Sequence, residues 1–436
     1  MTNVPPRRSG PQPAMDPLAP ENRADPYPFY HWLRENDPIR HAVDGSWILS
    51  RYADGAAVLR DARFSPNPAW LREGAVKGAE NHPVRQVGTS LMMFLDPPDH
   101  TRLRSLVSKA FTPRMVETMR AQIQRLVDEL LDAALPAGAM DGRVEMDGRV
   151  EIDGRVEMDI VADLAYPLPV AVICELLGVP PFDRELFRQL SSDASRLLDG
   201  GALDKASQER GMVAGMQLFQ YFTDLVEQRR PHPGDDLPRH DLLSAMIAAE
   251  EAGDRLSHAE LITTATLLFV AGHETTSNLI GNGVLALLRH PGELRRLQDD
   301  PGLIRSAVEE LLRYDSPVQY VARITTEDVE VGGVPIPAGE QLICIVGGMN
   351  RDPAQFPDPD RLDVGRPERE NRHLSFSAGP HFCLGASLAR LEAQVALGTL
   401  LRRTRDLELL TPEPRVREHF VLRGVHELRV GFSPAA

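Results

Sequence analysis

A short loop towards the C-terminal end carries the cysteine with the most distinctive surroundings. The stretch from Phe376 to Gly385 reads FSAGPHFCLG, and its glycines and proline are typical of a loop. The loop runs into a predicted helix over 386–402, which places Cys383 at a helix N-terminus, where backbone N–H groups and the helix dipole favour a thiolate. A thiolate binds metals and acts as a nucleophile. The alternative is a buried, inert cysteine.

The segment AGHETT, from Ala271 to Thr276, is the second stretch with chemical potential. A glycine, an acid and two threonines are costly inside an apolar helix, so we expect a locally opened helix that serves a site. An acid and a hydroxyl on one buried turn, Glu274 and Thr275, can relay protons through water. The alternative is a solvated acid and a hydroxyl that bonds to the carbonyl four residues earlier.

Two nearby patterns resemble known ligand-binding motifs but lack an essential part of each. His273 and Glu274 begin like the zinc motif HExxH, but the second histidine position is Ser277. The sequence GNGVLA, starting at Gly281, matches a dinucleotide-binding pattern but lies inside a predicted helix instead of at a strand-to-helix turn. Neither zinc nor nucleotide binding is therefore predicted here.

A long helix must position the AGHETT segment. Ser257 and Glu260 form the capping-box pattern S-x-x-E, and Pro291 is expected to stop the helix just after His290. At 1.5 Å per residue, about 33 residues span roughly 50 Å, enough to cross a whole domain. The LLFV sequence over 267–270 is apolar on every face, so the middle of this helix is expected to be buried.

Composition excludes several classes of protein. The 436 residues include 48 Lys+Arg and 63 Asp+Glu, a net charge of −15, so no nucleic-acid partner is predicted. The three cysteines, Cys174, Cys344 and Cys383, form no CxxC pair, which excludes a zinc ribbon and a four-cysteine iron–sulfur cluster and suits a reducing cytosol. No signal-peptide pattern and no long apolar run is found, so a cytoplasmic protein without membrane association is expected.

The rest of the chain predicts a mainly α fold with minor β structure. Residues 1–18 are proline-rich and polar and are expected to be disordered, whereas 19–436 are expected to form a single domain. Apolar residues at helical spacing predict helices over 116–135 and 211–228. Short segments of β type predict strands over 47–49 and 329–334.

An internal repeat interrupts this pattern. Residues 140–157 read MDGRVE-MDGRVE-IDGRVE, three copies of one hexamer. Three short copies are too few to build a repeat fold of their own. We therefore predict an insertion in a surface hairpin or loop, in which each copy supplies half a strand and Asp-Gly a turn. A calcium site is disfavoured because an arginine follows each Asp-Gly pair.

Together, five motifs resemble those of the cytochrome P-450 haem-thiolate monooxygenases, in particular the soluble bacterial class. The pattern F-x-x-G-x-H-x-C-x-G at 376–385 resembles that family's haem-binding loop. The others occur in the family's order: LDPPDHTRLR at 95–104, AGHETT at 271–276, ELLR at 310–313 and NRDP at 350–353. The resemblance implies a single cytochrome P-450-type haem-thiolate fold, mainly α with minor β, with a long central helix over the haem.

The resemblance also implies how the chain binds its cofactor, heme b (iron protoporphyrin IX). Cys383 is expected to be the thiolate ligand of the iron, with Phe376 packed beside the sulfur. Gly379 is expected to let the loop pass close to the porphyrin. Cations suit the haem propionates, and the residues expected to bind them are His100, Arg104, Arg323 and His381. For the two histidines, the alternative is an ordinary surface or core position.

Other roles implied by the resemblance concern dioxygen and the supporting structure. Ala271 and Gly272 are expected to leave room for dioxygen, and Glu274 and Thr275 to supply its protons. A buried network is expected to join Glu310, Arg313 and Arg366. One departure from the family is Ser377, where glycine is common; serine is small, so no loss of haem is expected.

The implied function is insertion of one oxygen atom from O2 into a hydrophobic small molecule, by hydroxylation or epoxidation, in bacterial natural-product tailoring. The chain has no flavin or nicotinamide motif, so its electrons are expected from a ferredoxin and a ferredoxin reductase, and a monomer is expected. A basic docking face is predicted from Arg102, Lys109, Arg114, Arg390, Arg402 and Arg403. Two alternatives are a peroxide-using haem enzyme and a non-catalytic haem sensor or carrier, neither of which needs the pair Glu274 and Thr275.

The substrate pocket is also implied by the resemblance. Its walls are expected from 66–94, from the helices around 170–225 and from the turn at 420–421, and its individual residues include Phe94, Leu267, Val270, Val318, Val321 and Val421. These walls are mostly apolar, which predicts a hydrophobic or amphipathic substrate. Polyketide and macrolide tailoring is the nearest resemblance, while steroids, terpenes and fatty acids stay open.

Overall fold

The computed structural model describes most of the chain, namely residues 20–68, 90–134, 155–180, 184–202, 205–230, 241–251 and 256–435. Helices dominate these ranges and short strands form three small sheets, which confirms the predicted mainly α class with minor β. None of the described helices is long and apolar enough to cross a bilayer. The predicted disordered segment 1–18 and most of the repeat lie outside the described residues.

Fifteen α-helices occur in the described ranges, several linked by short 3₁₀ turns. They are α1 Pro20–Ala24, α2 Tyr27–Asn36, α3 Tyr52–Val58, α4 Asp99–Val107, α5 Pro113–Thr118, α6 Arg120–Ala134, α7 Pro167–Leu177, α8 Arg184–Ser195, α9 Lys205–Arg229, α10 Leu242–Glu251, α11 His258–Arg289, α12 Pro291–Asp299, α13 Ile304–Tyr314, α14 Val346–Met349 and α15 Ala386–Arg403.

The strands are short and lie mostly at the edges of the helical body. They are β1 Ile39–His41, β2 Trp47–Leu49, β3 Phe64–Ser65, β4 Val156–Asp159, β5 Tyr320–Thr325, β6 Val329–Val331, β7 Val334–Ile336, β8 Gln341–Ile345, β9 Thr404–Leu409 and β10 Arg429–Pro434. The sheets have the orders β1-β2-β8-β5-β3, β4-β10-β9 and β6-β7. The predicted strand at 47–49 and the predicted hairpin at 329–334 are both present.

The long helix α11 forms the centre of the molecule. Its capping box is formed as predicted: the Glu260 N–H donates to Ser257 Oγ at 3.3 Å, and the Ser257 N–H donates to Glu260 Oε2 at 2.8 Å. Almost all side chains from 261 to 287 are buried, and α7, α8, α9, α13 and α15 pack around it. Side chains on every face of α11 therefore contribute to the main hydrophobic core.

Two sequence predictions need adjustment. The predicted continuous helix over 116–135 is kinked at Met119, whose N–H bonds to the Val116 carbonyl three residues back, so that α5 and α6 are separate. The end of the last hexamer enters a strand, because β4 begins at Val156 and pairs with β10 in antiparallel register as far as Asp159. The preceding copies lie outside the described residues.

Candidate active site

The cysteine loop closes onto the N-terminus of α15, as the sequence predicted. The Cys383 N–H donates to the Phe376 carbonyl at 2.8 Å, and the backbone N–H groups of Gly385 and Ala386 approach the sulfur. The Cys383 side chain is solvent-accessible, although protein atoms surround the sulfur closely enough to desolvate it. Burial raises the pKa of its thiol and outweighs these N–H groups and the charges of Arg104 and Arg390. The helix terminus thus favours the thiolate as predicted, but burial opposes it more strongly; a metal ion that binds the sulfur removes the proton outright.

A charged cluster supports the aromatic ring beside this sulfur. The Arg390 guanidinium lies 4.5 Å from the centre of the Phe376 ring, a cation–π geometry. Glu309 holds Arg390 at 2.6 Å and His373 at 3.1 Å. Burial raises the pKa of Glu309, but His373 and Arg390 more than compensate and lower it to about 2. Arg390, predicted to belong to a docking face, is instead committed to this internal cluster.

The loop depends on one glycine for a reason that differs from the expected one. Gly379 has φ +68°, and a Cβ there would lie 2.5 Å from the Leu59 carbonyl oxygen. The glycine therefore allows the loop to pack against the backbone at 59–60. Its expected closeness to the porphyrin stays a prediction.

Ser377 occupies a conformation that favours glycine. Its φ is +61°, and its buried hydroxyl has no hydrogen-bond partner. We expect Ser377→Gly to stabilise the holoenzyme by about 1 kcal/mol, because it removes the left-handed strain and the unpaired hydroxyl at a smaller cost in chain entropy. Guanidinium chloride unfolding measures this. As a matched control, Ser375→Gly should destabilise, since Ser375 Oγ donates to the Leu312 carbonyl at 2.7 Å. An unchanged or lowered midpoint for Ser377→Gly contradicts the prediction.

Four basic side chains predicted to bind the haem propionates come together in the structure. The rings of His100 and His381 lie 4.0 Å apart, and Arg104 donates to the Phe382 carbonyl at 2.6 Å. Burial, followed by the charges of His100, Arg323 and Arg104, lowers the pKa of His381 to about 3. Protonation of His381 would add a positive charge beside Arg104 and Arg323, so an anion bound here would be favourable.

Two incompletely paired groups in the described part of the chain support this conclusion: Arg323 donates to the Ala322 carbonyl at 2.8 Å but has no counter-ion, and one nitrogen of His100 has no partner. Arg323 is 5% exposed and forms no ion pair with any described residue, and burial lowers its pKa. The Nδ1 atom of buried His100 has no hydrogen-bond partner. A buried cation without a counter-ion is costly, so the cluster suits a ligand that carries carboxylates. With Cys383 as the sulfur donor, the residues present fit haem: the thiolate for the iron and the basic cluster for the propionates.

The predicted buried network stands behind the cysteine loop. Arg313 donates to both carboxylate oxygens of Glu310, at 2.7 and 2.8 Å, and the Arg366 Nε donates to Glu310 at 3.0 Å. Both members of the first pair are fully buried. Asn350 continues the network, because its side chain binds Ser375 and the Leu374 N–H. The network predicted from Glu310, Arg313 and Arg366 is thus confirmed and fixes the start of the loop.

One stripe of the central helix is accessible although its surroundings are buried. Leu267, Val270, Ala271 and Thr275 are the more exposed positions, and their spacing of three and four residues places them on one face. Gly272 lies beside the stripe, where a Cβ would meet Ile173 at 3.3 Å, so its small size serves packing against α7. The role of Gly272 towards haem or dioxygen stays a prediction. The stripe forms an apolar wall with one hydroxyl.

The acid of the AGHETT segment is buried and paired. Glu274 is 1% exposed and bonds to Arg417, 143 residues later in the chain, and His273 Nε2 lies 3.6 Å from it. Burial raises the pKa of Glu274, but His273 and Arg417 outweigh it and lower the pKa to about 2. Glu274 is therefore a carboxylate at neutral pH. No local sequence signal identifies Arg417 as its partner.

The central helix is not opened at this segment, contrary to the expectation. It is continuous through 258–289, because its polar groups bond to carbonyls four residues back. Thr275 Oγ1 donates to Ala271 at 3.1 Å, Thr276 Oγ1 to Gly272 at 3.2 Å, and His273 Nδ1 lies 2.9 Å from the Phe269 carbonyl. Thr275 thus forms the hydrogen bond to the carbonyl four residues earlier that was named above as the alternative to a proton relay. No direct hydrogen bond joins Thr275 to Glu274.

The other predicted pocket residues lie at partly buried positions. Phe94, Val318, Val321 and Val421 are all partly buried. Val318 forms a β-bridge with Leu422, so the start of β5 and the turn at 420–421 lie side by side. Their contact with a substrate stays a prediction.

The predicted basic docking face is smaller than expected. Arg102 pairs with Glu260, and Arg403 pairs with acids of α6. Arg402 is exposed and donates to Thr399. Lys109 and Arg114 are exposed and form no ion pair within the described part of the chain. Pairing therefore explains why half of the predicted cations do not project a free charge.

The chain is similar to known proteins along nearly its whole length. The family model "Cytochrome P450" matches residues 72–301 and 302–422. The vitamin D(3) 25-hydroxylase of Pseudonocardia autotrophica is 42% identical over 94% of this chain and 94% of its own length. The 6-deoxyerythronolide B hydroxylase of Saccharopolyspora erythraea is 39% identical over 93% and 96%. The crystal structure of P450BioI with a fatty-acyl-ligated acyl carrier protein gives a TM-score of 0.81 at 38% identity, covering 95% and 99%.

These matches span nearly the whole chain and leave the peroxide-using and sensor alternatives without support. They agree with the cysteine loop, the basic cluster and the buried glutamate–arginine network. The chain belongs to the cytochrome P450 family and is a haem-thiolate monooxygenase that inserts an oxygen atom from O2 into a hydrophobic small molecule.

Proposed function

We propose that the enzyme hydroxylates or epoxidises an apolar natural product of the polyketide, macrolide or steroid type in bacterial tailoring. The observation that supports this is the stripe Leu267, Val270, Ala271 and Thr275, an otherwise apolar wall on the central helix. Such a wall binds a substrate through apolar contact and excludes water from the reaction. The two hydroxylases described above, which are named for vitamin D(3) and 6-deoxyerythronolide B, favour the same substrate class.

Haem, when bound, would activate dioxygen. We assign the delivery of protons to side chains of the protein. Thr275 is the polar group on the apolar stripe, and its hydroxyl is held by the Ala271 carbonyl. Glu274 is ionised, so it must take up a proton before it can donate one. Uptake becomes more favourable when Arg417 withdraws, because one of the charges that lower the pKa of this buried carboxyl is then removed. The two residues thus have separate roles, in which Thr275 orients water and Glu274 replenishes protons.

The electron donors are proposed to be a ferredoxin and its NAD(P)H-dependent reductase. Family members generally receive electrons from redox partners. Lys109, Arg114 and Arg402 are the remaining exposed cations of the predicted face, and complementary charge on an acidic ferredoxin would speed docking. We also propose a cytoplasmic location, which suits a chain with only three, widely separated cysteines, and a monomer.

Thr275→Ala tests the proton assignment. Product formation should fall by about 10²- to 10⁴-fold, the range of general acid–base contributions, while NADPH consumption persists and released peroxide rises. Haem binding and folding should be unaffected, since alanine fits a helix at least as well as threonine. The measurement compares NADPH, peroxide and product with saturating redox partners.

Thr276→Ala provides a matched control. Thr276 is the next residue, carries the same hydroxyl on the same type of i−4 bond, and is 2% exposed within the core. Removal of the Thr276 hydroxyl should leave the ratio of product formed to NADPH consumed unchanged. Equal coupling in the two variants would contradict the role of Thr275, and peroxide-driven turnover without NADPH in the wild type would revive the peroxide-using alternative.

A further inference from the structure

The ion pair of Glu309 and Arg390 lies where its charges act on the sulfur of Cys383. Arg390 is on α15, the helix that Cys383 precedes, and Glu309 is on α13. The charges of Arg104 and Arg390 both lower the pKa of the Cys383 thiol. Arg104 belongs to the basic cluster that is expected to bind the haem propionates, whereas no step described so far uses the charge of Arg390.

Hydrogen bonds on two sides fix the position of the Glu309 carboxylate. Arg390 donates to it twice, from Nε to Oε1 at 2.6 Å and from Nη2 to Oε2 at 2.9 Å. The Nδ1 atom of His373 accepts the Ser375 N–H at 3.3 Å, so the neutral ring has its proton on Nε2. That Nε2 lies 3.1 Å from Glu309 Oε2 and donates to it. A two-pronged bond to arginine fixes the direction of the ion pair as well as its strength.

The guanidinium of Arg390 also contacts the cysteine loop. Its central carbon lies 4.5 Å from the centre of the Phe376 ring, and the Phe376 carbonyl accepts the Cys383 N–H at 2.8 Å. A guanidinium can bind a carboxylate along its edge and an aromatic ring on its face, so the two contacts of Arg390 are compatible. The positive charge is therefore held against a residue that bonds to the backbone of Cys383.

The two members of this ion pair should have opposite effects on a redox centre bound to Cys383. One-electron reduction adds a negative charge to the iron and its sulfur ligand. A nearby cation stabilises that added charge, and a nearby anion destabilises it. The side chains of Glu309 and Arg390 are only 24% and 29% exposed, so solvent screens their charges less than those of fully exposed residues.

We propose that the ion pair of Glu309 and Arg390 sets the reduction potential of the haem iron. Arg390 favours the ferrous state, while Glu309 limits this effect and holds the guanidinium on Phe376. The step is the transfer of one electron from the donor to ferric iron, which gives ferrous iron without a bond being made or broken. Both residues act through Cys383 and are therefore positioning residues. The inference goes beyond the proposed function, because it requires neither the substrate nor the natural electron donor.

The test is the midpoint potential of the substrate-free holoenzyme, titrated with dithionite and mediator dyes and followed by absorbance. Arg390→Met removes the charge but keeps an apolar chain against Phe376. The equilibrium constant for reduction should fall about tenfold, which lowers the potential by about 59 mV for one electron. Glu309→Gln removes the negative charge but keeps an amide oxygen for Arg390, so the constant should rise by a similar factor. Opposite signs identify an electrostatic role, because a loosened loop would shift both variants in the same direction.

A second ion pair of similar exposure provides a matched control. Arg230, directly after α9, pairs with Glu250 of α10 at 2.8 Å, and their side chains are 28% and 15% exposed. Arg230→Met and Glu250→Gln should leave the potential unchanged. Arg390→Lys keeps the charge without the planar guanidinium, so its equilibrium constant should stay within about threefold of the wild type. The red-shifted band of the reduced carbon monoxide complex verifies thiolate ligation in every variant.

Unchanged potentials in Arg390→Met and Glu309→Gln, or shifts of the same sign, would overturn the proposal when the red-shifted band is intact. If Arg390→Met does not bind haem, the other two variants decide: a raised potential in Glu309→Gln with a nearly unchanged one in Arg390→Lys supports the proposal, and any other pattern contradicts it. Failure of the proposed function would be seen separately, since this titration uses no substrate, ferredoxin or dioxygen.

Discussion

Replacing Cys383 with serine is expected to abolish monooxygenase activity. A serine alcohol is a poor donor to iron at neutral pH, so the electron density that the thiolate supplies is lost. The basic cluster keeps all its side chains, because the substitution changes neither His381 of the same loop nor His100, Arg104 and Arg323, which come from other parts of the chain. The reduced carbon monoxide complex of the variant should therefore lose its red-shifted Soret band while part of the haem is retained. Absorbance spectra and haem content of the purified protein provide the measurement.

A buried cysteine elsewhere in the chain, Cys344, offers a direct comparison. Cys344→Ala removes a thiol from β8 that is fully buried and whose pKa burial raises to about 12, so it is protonated and inert. This variant should keep the red-shifted band, with at most a modest loss of stability from the small cavity. Survival of the band in Cys383→Ser would mean that Cys383 is not the ligand.

The local motifs were predictable from the sequence because each is defined by residues that lie within about ten positions of one another. The cysteine loop, the start of α15, the capping box of α11 and the pairing of Glu310 with Arg313 all depend on near neighbours. Arg366 was also predictable, though only through the family resemblance. The mainly α class followed from apolar periodicity, since such patterns are averaged over many residues.

The contacts that could not be predicted from the sequence are long-range pairings that no local pattern encodes. Arg417 binds Glu274, 143 residues away, and Asp199 binds His419, 220 residues away. Arg390 was read as a surface cation because nothing nearby identifies Glu309 as its partner. Burial was likewise unpredictable for Cys383: the helix N-terminus is visible in the sequence, but the desolvation that opposes it is a property of the packed fold.

The second large effect is expected at the buried network behind the cysteine loop. Arg313 is fully buried and holds the chain at several points. Besides Glu310, it donates to the carbonyls of Asn350 at 3.0 Å, Pro359 at 2.7 Å and Arg361 at 3.1 Å. It therefore connects α13 to the 350–361 segment, and Asn350 in turn fixes Leu374 and Ser375 at the start of the cysteine loop.

Arg313→Met should destabilise the holoenzyme by about 3–5 kcal/mol and release haem, because it leaves buried acceptors unpaired and loosens the loop that holds Cys383. The chain contains a matched control with the same E-x-x-R spacing: Glu117 and Arg120 pair at 2.5 Å, but their side chains are 60% and 47% exposed. Arg120→Met should cost less than about 1 kcal/mol, since solvent screens an exposed pair. Guanidinium chloride unfolding together with the haem-to-protein ratio distinguishes the two variants. Equal, small losses for both would show that burial of the Glu310–Arg313 pair does not hold the haem-binding loop in place.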